Sequence, residues 1–316
     1  MKVCRNKNLE NSVEPFRLHI LGCGSAVPTL RHHPSSQLVE IHDKVFMIDC
    51  GEGTQVQLRR SKVHFFKIIA IFISHLHGDH CLGLIGLISS FGLLGRTAPL
   101  HIYAPKGFEA ILNLQLQTFC PHLEYKIVFH ALDTRKTETI YEDRSVTVST
   151  IPLEHRTPCA GFLFQERPKL PHIRREMIDF YDIPVCQINN IKAGKDWVLD
   201  DGTVIENSRL VIPAAPPRSY AYCSDTRYMR NLHKSIKHVS TLYHEATYLE
   251  TERGYAEKYA HSTALEAAQV AKAAQARQLL LGHFSSRYTD EKLFQDEARE
   301  IFQQSFIVNE GDIFDI

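Results

Sequence analysis

The 316-residue chain has no excess of either charge: Lys and Arg total 36, and so do Asp and Glu. Global charge therefore does not mark a nucleic-acid binder, and any contact with a polyanion has to come from a local basic patch. The eight cysteines, Cys4, Cys23, Cys50, Cys81, Cys120, Cys159, Cys186 and Cys223, include no C-x-x-C pair. The opening stretch MKVCRNKNLENSVEPF lacks the apolar core of a secretory signal. Scattered cysteines without such a signal suggest a reducing compartment, and a cytoplasmic location is expected. No apolar run reaches the ~20 residues needed to span a bilayer. The longest, residues 81–95, is interrupted by glycine and serine, so no membrane association is expected. Heptads, low-complexity tracts and internal repeats are also missing.

What is present is a series of short β-like runs with helical patterns between them. PFRLHILGC (15–23), SSQLVEIHD (35–43) and KVFMIDCG (44–51) read as strands, with Asp43-Lys44 as a tight turn. Helices are expected around residues 82–95 and 264–278. Thr263-x-x-Glu266 introduces the second as a capping box. A β-like stretch follows each helix, LHIYAP (100–105) and RQLLLGHF (277–284), which argues for an α/β architecture. The length fits one large α/β unit over residues 1–316. Residues 165–205 differ, with mixed charge, three prolines and poor periodicity. They read as an excursion from the core, either a protruding arm or a surface loop with a small hairpin.

The chemistry concentrates in KIIAIFISHLHGDHCLGL, residues 67–84, where an apolar run ends in SHLHGDH. A nearly continuous apolar run suits a strand buried on both faces, and in α/β sheets ligands gather beyond the carboxyl ends of strands. On an extended strand end His75 and His77 point the same way and can reach one ion. Gly78 permits a sharp turn. Asp79 and His80, past that turn, can then face a second ion about 3.5–4 Å from the first. Imidazole with carboxylate suits zinc, with manganese or iron as alternatives. Four ligands are too few for two ions, but the grammar recurs. SVTVSTIPLEH ends in His155, YAYCSD in Asp225 and RQLLLGH in His283, each placing one ligand-type residue at the end of a strand-like run. In LGCGSAVPT the third glycine of a dinucleotide fingerprint is replaced by Val27, with Pro28 next, which argues against a phosphate-cradling helix.

His75, His77, Asp79 and His80 match the H-x-H-x-D-H motif, and the chain resembles the metallo-β-lactamase superfamily. Within it, LGCGSAVPT (21–29), IDCGEGTQVQL (48–58), PLEHRTPCAGFLF (152–164), HEATY (244–248), HSTA (261–264) and LLLGHFSSRY (279–288) resemble the ribonuclease Z family of tRNA 3′-processing endonucleases in its short form, over about residues 15–312. The resemblance implies an αβ/βα sandwich of two mixed sheets with helices outside. It implies two zinc ions per chain, with manganese as the alternative: His75, His77 and His155 on the first, Asp79, His80 and His283 on the second, and Asp225 bridging. It further implies that Asp79 accepts a proton from the attacking water, that His261 donates one to the leaving oxygen, and that Glu245 orients His261. Precursor tRNA would be the substrate, the cut falling 3′ of the discriminator base. Relatives suggest a homodimer. Family members also carry an arm that clamps the tRNA elbow, with G-P and L-K-x-G elements. Here the comparable stretch keeps Lys192-x-Gly194 but has Ile191 in place of leucine and no Gly-Pro. The basic residues offered to RNA would be Arg167, Lys169, Arg174, Arg175, Lys192 and Lys195. Another hydrolase of the same superfamily is the alternative reading.

Overall fold

Alternation along the strands fixes the layers. In strand Lys44–Ile48, Phe46 and Ile48 point to one side and Val45 and Met47 to the other, and both sides are buried. The structure, a computed structural model, describes residues 14–316; Cys4 and most of the opening stretch lie outside them. The first seven-stranded sheet runs in the order Ile313–Asp315, Phe16–Gly22, Ser36–Ile41, Lys44–Ile48, Ile68–Phe72, Leu100–Pro105, Ile127–Leu132. The last four are parallel and the first pairings antiparallel. The second, also of seven strands, runs Ser305–Ile307, Gln278–Gly282, Thr241–Glu245, Ser219–Cys223, Cys159–Glu166, Val146–Leu153, Thr139–Glu142.

Aromatic side chains join the sheets. Phe72 packs against Phe162 and Phe164 at ring separations of 5.3 and 5.6 Å. Helices Leu84–Leu93 and Phe108–Phe119 cover the outer face of the first sheet through Leu84, Leu87, Ile88, Phe91 and Leu112. Helix Ala264–Ala274 joins the other core cluster through its alanines. This is the expected sandwich of two mixed sheets with helices outside.

Three local expectations need correction. The hairpin turn is His42-Asp43, because Ile41 pairs with Lys44 and His42 takes the left-handed conformation at φ 57°. Helix 264–278 stops at Ala274, where Gln275 turns left-handed at φ 54° and caps it. The helical pattern over 82–95 yields helix only over Leu84–Leu93. The capping box forms as read: Glu266 N–H donates to Thr263 Oγ1 at 3.2 Å and Thr263 N–H to Glu266 Oε2 at 3.0 Å.

The described residues divide into two compact units, one of residues 14–164 and 219–316, the other Gln165–Arg218. The second reaches 13 residues beyond the expected arm. Its core is Ile183, Ile191, Ile205, Leu210 and Val211. It contains helices Arg175–Phe180 and Val185–Lys192, too short to print a period in the sequence. Gly194 adopts φ 99° and its N–H donates to Ile191 O at 2.9 Å, so the glycine of Lys192-x-Gly194 stops a helix.

Candidate metal centre

Strand Ile68–Phe72 ends before the histidines, and Ser74 to His77 leave it as a loop leading into helix Gly78–Cys81. Gly78 starts that helix with ordinary backbone angles and makes no left-handed turn. The expected i, i+2 convergence still occurs, since His75 Nε2 lies 3.0 Å from His77 Nδ1. His155, beyond strand Val146–Leu153, brings its Nε2 to 3.3 Å from His77 Nδ1. On the other side, His80 Nε2 is 3.3 Å from His283 Nε2, and His283 Nε2 is 3.4 Å from Asp79 Oδ2. Asp225 follows strand Ser219–Cys223 and divides its oxygens between the groups. Oδ2 is 3.5 Å from His75 Nε2 and 3.8 Å from His155 Nε2; Oδ1 is 3.4 Å from His80 Nε2 and 3.2 Å from His283 Nε2. All seven residues converge.

The donor set fits divalent cations. Ligand nitrogens at about 2.0–2.1 Å around a tetrahedral ion stand about 3.3 Å apart, the spacing found within each group. Asp225 Oδ1 is buried and has no hydrogen-bond donor. Every outer imidazole nitrogen but that of His77 is engaged by the protein. His80 Nδ1–H donates to Asp49 Oδ2 at 2.7 Å and His155 Nδ1–H to Ala260 O at 2.8 Å. His283 Nδ1 meets Thr247 Oγ1 at 2.9 Å, and His75 Nδ1 meets Ser74 Oγ at 3.0 Å. Such partners fix the ring and leave the inner nitrogen free to bind metal. Charge points the same way. Burial disfavours a proton on His80, but Asp225, Asp49 and Asp79 outweigh it and raise its pKa well above the ordinary value. A field that draws a proton to His80 also draws a cation.

Asp49, which sequence reasoning missed, is completely buried. Its Oδ1 accepts from Ser74 N–H at 2.8 Å. Its Oδ2 accepts from Ser74 Oγ at 2.9 Å, from His80 Nδ1 at 2.7 Å and from Tyr222 OH at 2.7 Å. The signal was available, because Asp49 also closes an apolar strand in IDCGEG. Asp49 and His283 both adopt positive φ, 55° and 62°, the conformation that turns each strand end sharply into the centre. Gly51 lets the ligand helix close on this loop: a Cβ there would sit 2.4 Å from Asp79 O and 2.5 Å from Pro34 Cβ.

The remaining site residues meet beside the centre. Glu245 is fully buried. Its Oε1 accepts from His261 Nδ1–H at 2.9 Å and from the N–H groups of Thr226 and Ser262 at 3.0 and 3.1 Å. Its Oε2 accepts from Thr247 N–H at 3.0 Å and Thr247 Oγ1 at 2.7 Å. Burial would lower the His261 pKa, but the charge and hydrogen bond of Glu245 outweigh it and lift it to about 9. Asp79 Oδ2 accepts from Ala26 N–H at 2.7 Å, so LGCGSAVPT holds a carboxylate of the centre. Asp79, Asp225, His261, His283 and Ala26 line one cavity of about 500 Å³. Arg167, Lys169, Arg174, Arg175, Lys192 and Lys195 all lie in the second unit, where eight Lys and Arg face eight Asp and Glu. Among the described residues all seven cysteines are free, and no helix is long and apolar enough to cross a membrane.

Comparison with known proteins agrees with this geometry. A family model described as "Anti-Pycsar protein Apyc1" matches residues 16–170, about half of the chain. A ribonuclease Z of Bacteroides fragilis is 55% identical over 299 residues, covering 95% of this chain and 98% of its own. One of Porphyromonas gingivalis is 48% identical over 295 residues, covering 93% and 97%. Among solved structures, the short form of human tRNase Z aligns with a TM-score of 0.69 at 24% identity, covering 95% of this chain and 99% of its own. The Bacillus subtilis metallo-β-lactamase fold protein YhfI aligns at 0.68 with 19% identity, over 96% and 100% of the two chains. The chain belongs to the ribonuclease Z family, hydrolases of phosphodiester bonds built on the metallo-β-lactamase fold.

Proposed function

We propose that the chain is a zinc-dependent endoribonuclease that cuts precursor tRNA 3′ of the discriminator base, leaving a 3′-hydroxyl on the tRNA and a 5′-phosphate on the trailer. The observation that carries this reading is the pair of donor groups joined by Asp225 at one cavity. Two zinc ions, or manganese in their place, held by His75, His77 and His155 and by Asp79, His80 and His283 with Asp225 between, would lower the pKa of a bound water and neutralise charge on the reacting phosphate. Asp79, steadied by Ala26 N–H, accepts the proton of the attacking water. His261 gives its Nδ1–H to Glu245, which leaves Nε2 to protonate the departing oxygen. The second unit, with its basic residues Arg167, Lys169, Arg174, Arg175, Lys192 and Lys195, serves as the arm that touches tRNA. Its balanced charge implies contact through a few placed side chains rather than a broad field. Exposed Leu93, Ile111 and Leu114 on neighbouring outer helices, with Leu94 just past the end of the first, support a homodimer, and the seven free cysteines among the described residues support a cytoplasmic setting.

The test is cleavage of a 3′-extended precursor tRNA with zinc or manganese supplied. Wild type releases the trailer in one cut, and Asp79→Ala nearly abolishes the cut while tRNA binding persists. A precursor left intact by wild type overturns the proposal. The second reading is another phosphodiesterase or hydrolase of this fold, whose donor groups would serve equally well. Turnover of bis(p-nitrophenyl) phosphate with the precursor untouched would select it.

A further inference from the structure

One wall of the catalytic cavity carries aromatic rings that the hydrolytic chemistry does not use. Tyr255 and Tyr259 sit one turn apart on helix Arg253–Tyr259, with ring centroids 6.3 Å apart and planes only 5° from parallel. Tyr248 continues the row, 6.2 Å from Tyr255 at 19°. Cations are set along it. The Arg287 guanidinium lies 4.2 Å from the Tyr255 ring centre and 5.9 Å from that of Tyr248, and Arg156 lies 5.4 Å from Tyr259. The row begins at the reacting groups, since Tyr248, Tyr259, Arg156 and Arg287 line the same cavity as Asp79 and His261. Its middle ring, Tyr255, is 40% exposed to solvent.

A tyrosine row built only for packing would be covered throughout, yet here only Tyr248 is buried and the Tyr255 ring is open to solvent beside the cavity. Flat rings give every base a face to stack on, whatever its sequence, and arginines between them meet the phosphates or stack in turn. A neutral chain needs such placed cations. Bases next to the scissile bond are unpaired in a 3′-extended precursor, so their faces are open to the rings. We propose that Tyr255 and Tyr259, with Arg156 and Arg287, form a stacking platform for an unpaired nucleotide flanking the scissile phosphodiester. The platform thereby favours a single-stranded flank at the cut. This rests on the reading of the centre as an RNA-cleaving one.

Two measurements test it. In the first, wild type, Tyr255→Leu and Tyr259→Leu act on precursor tRNA and on precursors with one abasic nucleotide at successive positions around the cut. The leucine variants should raise KM about tenfold on the intact precursor, more than they lower kcat. Tyr→Phe should restore it. On the precursor that lacks the stacked base, leucine variants and wild type should agree within about twofold. In the second, 2-aminopurine in a short single-stranded RNA should be quenched by wild type and not by the leucine variants, which reads stacking without cleavage. An unchanged KM, a penalty that persists on every abasic precursor, or quenching retained by the leucine variants overturns the platform. A wild type that quenches 2-aminopurine but cuts no precursor strikes the proposed function and leaves the platform standing.

Discussion

Asp49→Asn replaces one oxygen of a buried carboxylate that receives four hydrogen bonds. Three of them converge on Oδ2 and one on Oδ1. The amide therefore keeps its oxygen in the Oδ2 position and turns its NH₂ toward Ser74 N–H. Two donors then face each other in a fully buried site, at a cost of about 1–3 kcal/mol. The acceptor for His80 Nδ1–H is also neutral now, which makes the ring a poorer ligand. Losing an outer-shell partner of this kind weakens metal binding about 10- to 100-fold, or about 1.4–2.7 kcal/mol. The assay is a chelator competition read by metal analysis, with thermal unfolding and circular dichroism to verify that the variant folds. The variant should hold its metal more weakly by that factor and recover part of its cleavage in excess zinc. A metal affinity within threefold of wild type would refute the claim that Asp49 sets the ligand geometry.

Gly51→Ala should be as damaging, for a steric reason: the new methyl has to displace both Asp79 O and Pro34, so both melting temperature and cleavage rate fall. A variant as active and as stable as wild type would show that the ligand helix has room to move. His261→Ala should slow cleavage about 10²- to 10⁴-fold with metal content unchanged, as expected for loss of a general acid. Because Glu245 raises the His261 pKa, wild-type activity should fall on the alkaline side as the proton is lost. That limb should vanish in the variant, and a limb that survives would assign the proton to another group.

The sequence by itself determined the chemical inventory. Ligand-type residues closing apolar runs marked His75, His77, Asp79, His80, His155, Asp225 and His283, because a strand end buried behind and open in front is a stable place for polar side chains. The capping box of Thr263 and Glu266 was equally legible, being a contact within three residues. Only tertiary structure decided which donors face one another. His155 and His77 are 78 residues apart along the chain, and their 3.3 Å separation depends on the packing of the two sheets. The same holds for Asp49, whose four hydrogen bonds come from Ser74, His80 and the distant Tyr222, and for Glu245, which a local reading would leave at the surface. Short helices in Gln165–Arg218 escaped the pattern because one or two turns carry too few apolar positions to show a period. Distance in sequence erases hydrogen-bond partners from view, and burial, which makes those bonds strong, exists only once the chain has folded.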